Sequence, residues 1–101
     1  MATAGWRRAD PLRLVNWTWE LTRHAERQMF KFDLETRRRI LQALDRLISD
    51  PPSGDVRKLH GNQDEWRLRV GDWRVRFRYD QARRAVIVTQ VLRRNEGTYR
   101  G

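Results

Sequence analysis

A chain of 101 residues has room for one domain and one modest core. A hydrophobic fraction of 39%, with five Trp, is enough to fill that core. The 22 Lys and Arg outweigh 13 Asp and Glu and leave a formal charge of +9, an excess that points to a polyanionic partner rather than to any particular fold. With no Cys in the chain, disulfides, thiolate zinc sites and cysteine nucleophiles are excluded, and the cytoplasm is the expected compartment. The run Met1 to Arg8 has no apolar stretch of the kind a signal peptide needs behind it. No segment approaches the ~18 apolar residues of a membrane span, so no membrane partner is expected.

Residues 1–16 mix Trp6, Pro11 and several charges without a period and read as an N-terminal arm. From Asn16 to Leu21 the alternation of Trp17, Trp19 and Leu21 with Thr18 and Glu20 predicts a half-buried strand. Thr22 offers an N-cap hydroxyl, and Ala25, Met29 and Phe32 follow on one helical face. Asp33 caps a second helix with Glu35 in its first turn and Ile40, Leu41, Leu44, Leu47 and Ile48 as its apolar stripe. Pro51-Pro52 and Gly54 stop it near Ser49. The two helices form a hairpin turning around Lys31 to Asp33.

Beyond Gly54 the period changes to two. Val56 to His60 is a short extended segment. Trp66, Leu68 and Val70 alternate with Arg67 and Arg69, and Trp73, Val75, Phe77 and Tyr79 alternate with Arg74, Arg76 and Arg78, across a two-residue turn signal at Gly71-Asp72. The apolar, β-branched run Ala85 to Val91 is expected to be buried on both faces. The whole reads as an α+β domain: an N-terminal strand, a helical hairpin, then an antiparallel sheet of three to four strands with the helices packed on one face.

A turn at Gly71-Asp72 sets Val70 opposite Trp73, Leu68 opposite Val75 and Trp66 opposite Phe77. On the other surface Arg69 then opposes Arg74, Arg67 opposes Arg76, and Glu65 pairs with Arg78. Like charges directly opposed across a sheet are unfavourable, so the arginine face is either a solvated surface of an arginine-rich chain or the seat of an absent anion, a nucleic-acid backbone. All the cations except Lys31 and Lys58 are Arg. This reflects either genomic codon bias or a functional choice, since the guanidinium matches phosphate oxygens bidentately.

The string from Arg57 to Tyr99, with Lys58-Leu59-x-Gly61, Trp66 to Val75 around Gly71-Asp72, and the closing Arg93-Arg94 and Tyr99-Arg100, resembles the RelE/ParE superfamily of bacterial toxins. So does the helix pair ending in Asp50-Pro51-Pro52. The resemblance spans about Trp17 to Arg100 and implies a RelE-like toxin domain over 17–101 behind the arm. RelE-like members cleave messenger RNA in the ribosomal A site without a metal. ParE-like members share the fold but poison DNA gyrase and generally lack the basic cleavage set. The resemblance implies a type II toxin, either a ribosome-dependent mRNA endonuclease or, as alternatives, a gyrase poison or an inactive RNA-binding member. It also implies an antitoxin partner and the ribosome with its mRNA as target, and no cofactor.

By the same resemblance Arg67 and Arg69 match the family's strand lysines or arginines, Arg74 its phosphate-binding arginine, Arg93 or Arg94 its late basic residue and Tyr99 its C-terminal tyrosine. The candidate catalytic set is therefore Arg67, Arg69, Arg74, Arg94, Tyr99 and His60, with Lys58, Arg76, Arg78 and Arg93 as RNA-binding candidates. Guanidiniums stabilise a phosphorane-like transition state well and accept protons poorly. His60 has a suitable ordinary pKa for proton transfer and is otherwise a surface residue. Tyr99 either stacks on a base or packs. His24 reads as structural, Trp17, Trp19, Trp66 and Trp73 as core, and Arg37-Arg38-Arg39 as a solvated helix face or a ribosomal RNA contact. Residues 55–101 carry 12 Lys and Arg against 6 Asp and Glu, which an acidic antitoxin segment would complement.

Overall fold

The computed structural model describes residues 16–49, 52–59 and 65–94. Residues 1–15 of the N-terminal arm, His60 and Tyr99 lie outside the described residues. Strand β1 (Thr18–Leu21) leads into helices α1 (Arg23–Phe30) and α2 (Leu34–Leu47), followed by strands β2 (Asp55–Lys58), β3 (Trp66–Val70), β4 (Trp73–Asp80) and β5 (Ala85–Arg93). The strands form one mixed sheet in the order β1-β5-β4-β3-β2. The four C-terminal strands run antiparallel to their neighbours, while β1 returns to the far side of β5 and pairs with it in parallel.

Both helices begin at the caps the sequence supplies. Thr22 accepts a hydrogen bond from the Ala25 N–H at 3.2 Å and Asp33 one from Thr36 at 3.2 Å. Such contacts satisfy amide donors that no helical carbonyl reaches. The first strand starts at Thr18 rather than Asn16, because Asn16 sits at φ 70°, a left-handed conformation that no strand residue takes. Arg37, expected on a solvated face, instead closes the helical hairpin. Its guanidinium donates to the carbonyls of Met29, Phe30 and Phe32, at the end of α1 and in the turn after it, where the regular helical pattern has run out.

The core lies between the helices and one face of the sheet. Ile40, Leu44 and Leu47 of α2 and Ala25 and Met29 of α1 meet Leu68, Val75, Phe77, Val86, Val88 and Val91, all buried. Trp17, Trp19, Trp66 and Trp73 are only partly buried and pack around this core as its rim. Burial runs without interruption from Ala85 to Val88, as the apolar run requires. A register shift between Arg76 and Phe77 lets β5 insert one extra residue, Thr89. Its hydroxyl donates to the Arg76 carbonyl. Past the end of β1, the Gln28 side chain accepts from the Val91 N–H at 2.7 Å.

Candidate nucleic-acid interface

The face of the sheet turned away from the helices carries the arginines, and the hairpin register puts them together. Arg69 is in register with Arg74 and Arg67 with Arg76, while Val70 meets Trp73 across the turn. Gly71 takes φ 58°, a conformation that costs glycine little and that a two-residue hairpin turn needs at its first central position. On the far side of β3, Asp55 is in register with Arg69 and Arg57 with Arg67. Asp55 lies 4.0 Å from Arg69 and 3.9 Å from Arg57. Part of the charge opposition is thus relieved by a carboxylate from β2, which local patterning along the hairpin does not reveal. The expected Glu65 to Arg78 pairing does not form part of the ladder: it ends at Trp66 and Phe77, and Arg78 is in register with Ile87 on β5.

Arg74 departs furthest from expectation. Period-two alternation points it away from the core, where a solvated guanidinium is expected, yet the residue is only 8% exposed. Its Nη1 donates to the Gly71 and Trp73 carbonyls, both at 3.0 Å, folding the side chain back over the turn. Its Nε is buried without a hydrogen-bond partner. Burial, and then the guanidiniums of Arg69, Arg67 and Arg94, push its pKa below the ordinary arginine value, while Asp72 acts in the opposite sense. Arg67 and Arg69 on β3 and Arg94 at the end of β5 thus all bear electrostatically on Arg74. The Arg94 N–H donates to the Asp72 carbonyl at 2.7 Å, tying the end of β5 to the hairpin turn.

The other candidates divide by face. Arg76 shares the arginine face beside Arg67, and Arg78 lies farther along the same strand. Lys58 is in register with Trp66 and places its ammonium 5.8 Å from that ring, on the helix side of the sheet. Arg93 is in register with Trp73 and lies 5.3 Å over its ring, also on the helix side. Of the adjacent pair Arg93 and Arg94, it is Arg94 that neighbours Arg74. His60 and Tyr99 fall outside the described residues. Among the described residues no three His, Asp or Glu side chains converge as metal ligands do, and no helix is long and apolar enough to cross a membrane.

Sequence reading did not single out Arg46 or Asp55, and took Arg39 only as part of the Arg37 to Arg39 helix face. Arg39 and Arg46 share a helix face at i and i+7, a spacing legible in the chain, but what they face depends on how α2 packs on β3.

Several solved toxin structures have this architecture. The archaeal RelE-RelB complex from Pyrococcus horikoshii matches with a TM-score of 0.66 at 22% identity, over 80% of this chain and 98% of the other. The RelBE2 toxin-antitoxin complex from Mycobacterium tuberculosis gives 0.65 at 20% identity, over 77% and 98%. The isolated Escherichia coli RelE toxin gives 0.63 at 16%, over 76% and 83%. At these identities the likeness is one of fold. No curated protein sequence matches the chain. Residues 19–97 match the family model described as the ParE toxin of type II toxin-antitoxin systems. A match over that share of the chain, on the fold just described, makes this protein a toxin of the RelE/ParE superfamily of type II toxin-antitoxin systems.

Proposed function

We propose that the protein is a RelE-type toxin that cleaves messenger RNA on the ribosome, with the cluster of Arg67, Arg69, Arg74 and Arg94 as its phosphate-binding site and a cognate antitoxin as its inhibitor. The observation that carries this reading is the hairpin register, which sets Arg69 opposite Arg74 and Arg67 opposite Arg76 on one face of the sheet, with Arg74 folded back onto the Gly71 and Trp73 carbonyls. A gyrase binder has no chemical need for such a focus. Attack of a ribose 2′-hydroxyl on the adjacent phosphorus builds negative charge on the non-bridging oxygens and breaks the bond to the 5′-oxygen. Donors already oriented in a partly dry site stabilise that charge without reorganising. Arg74 is held against the turn by its two carbonyl contacts and supplies a fixed positive charge beside the phosphate. The more exposed Arg67 and Arg69 close on the same oxygens. Guanidiniums are poor bases, so removal of the 2′-proton and protonation of the leaving oxygen fall to other groups, His60 and Tyr99 being this chain's candidates.

The test is cleavage of a defined mRNA by the purified protein on programmed ribosomes. Arg69→Ala is expected to slow cleavage at least about tenfold by removing a charge-assisted donor, and Arg38→Ala, on the exposed side of α2, to change it little. Equal losses would reduce the site to bulk charge. The matching family model is that of ParE, and this favours one second reading, a gyrase poison. Inhibition of gyrase supercoiling with intact mRNA would establish that reading instead.

A further inference from the structure

The turn between β3 and β4 is held at three successive carbonyls. Arg74 Nη1 donates to those of Gly71 and Trp73, both at 3.0 Å, and the Arg94 N–H donates to that of Asp72 at 2.7 Å. The backbone that carries the Asp72 side chain is thereby fixed, while the residue itself is exposed. Its carboxylate is the acid that bears on Arg74, in the sense opposite to Arg69, Arg67 and Arg94. The other described aspartates are all engaged. Asp33 accepts from the Thr36 N–H, Asp45 from the Trp19 ring N–H and Asp80 from the Arg83 N–H, and Asp55 pairs with Arg57 and Arg69. Among the described residues the Asp72 carboxylate has no hydrogen bond and no ion pair, so the turn does not draw on it as an Asx turn would.

We propose that Asp72 is a specificity-determining residue that selects guanine at the nucleotide whose phosphate the arginines hold, its two carboxylate oxygens accepting from the guanine N1–H and N2–H. This rests on the phosphate-binding role proposed above. Arginines bind a phosphate whatever base it carries, so a choice of base has to come from another group. An ionised carboxylate only accepts hydrogen bonds. Turned to a phosphate it repels, and turned to a base it needs donors. Guanine alone of the four RNA bases carries two adjacent donors on its Watson–Crick edge. Adenine and cytosine set an acceptor beside their one donor group, and uracil sets an acceptor on each side of its own, so each puts a lone pair against the second carboxylate oxygen. Single-stranded RNA displays that edge to a protein. The acid that weakens the cluster's hold on phosphate thus gives the same site a preference among bases.

The test is fluorescence anisotropy on the full chain with short labelled oligouridine RNAs that differ at one central base: guanine, hypoxanthine, which lacks the 2-amino group, or adenine. The wild type is expected to bind the guanine RNA at least about fivefold more tightly than the hypoxanthine RNA, the discrimination a two-point base contact supplies. Asp72→Asn suits a turn equally well and presents one donor beside one acceptor. It should lose the guanine preference and favour adenine, a reversal that a merely structural role would not produce. Asp80→Asn removes the same charge from the other end of β4 and should keep the guanine preference, and thermal melts confirm that each variant is folded. Equal binding of the guanine and hypoxanthine RNAs by the wild type, or a guanine preference that survives Asp72→Asn, would overturn the proposal. If the binding in those cases is still weakened by Arg69→Ala, the phosphate site stands and only the base selection falls. Absence of binding to all the RNAs would overturn the phosphate site and this proposal with it.

Discussion

Arg74 combines two costs. A guanidinium loses hydration on burial, and three others stand near it. Both lower its pKa, and neither stabilises the fold. In the neutral range an arginine is charged in the folded and unfolded states alike, so the cost is constant with pH and shows only when variants are compared. Arg74→Met, which keeps much of the side chain's bulk and removes the charge, is therefore expected to melt at the wild-type temperature or above. Its ribosome-dependent cleavage should fall by about 10²–10³, the effect of removing a preorganised donor to a developing charge. Arg74→Lys should recover only part of that loss, since an ammonium lacks the planar fork. Arg37 shows the opposite balance. Its bonds to three carbonyls of the helical hairpin predict a loss of about 1.5–3 kcal/mol for Arg37→Ala in urea denaturation, with cleavage unchanged per folded molecule. Neither role is written in the local pattern. Period two tells which way a side chain leaves the strand and not whether it then folds back over a turn, and an arginine triplet on a helix looks solvated until a second helix end is brought beside it.

The elements themselves were largely legible because their signals are local. Two caps, a proline stop and a two-residue turn fix where α1, α2 and the β3–β4 hairpin begin and end, and with the turn known the alternation of Trp66 to Val70 dictates the whole register. The parallel return of β1 to β5 and the pairing of Asp55 with Arg69 were not legible, since both join segments distant in sequence. Two expectations follow at this scale. Hydrogen bonds from Thr36, through its side chain first and then its backbone, hold the Asp33 carboxyl below its ordinary value of 3.8. A depressed folded-state pKa contributes stability above the unfolded value and loses it as pH falls through the folded one. The stability gap between wild type and Asp33→Asn should therefore be constant near neutrality and close below about pH 3.8, as read by urea midpoints across pH. At the entry to β2, Gly54→Ala would force a Cβ against Leu68 in a conformation that L-residues avoid. It should cost about 1–3 kcal/mol, the usual range for overpacking.

Across the whole molecule, one sheet divides two functions. Its inner face meets the helices and carries the core. Its outer face concentrates arginines of a chain whose net charge is +9. A fold that holds like charges together in the absence of their ligand is stabilised by any anion that binds there. Sulfate should raise the melting temperature by several degrees over chloride at equal ionic strength, an increment of about 4–8 °C for each kcal/mol of binding in a domain of this size. Combined Arg67→Ala and Arg69→Ala substitution should abolish the difference. The central claim, that the arginine cluster serves RNA cleavage, is tested most directly by inducing the toxin alone in cells and mapping transcript 5′ ends and chromosomal breaks in the same culture. The account predicts new 5′ ends within translated codons, lost with Arg74→Met, and an intact chromosome. Gyrase-dependent DNA breaks without new RNA ends would contradict it.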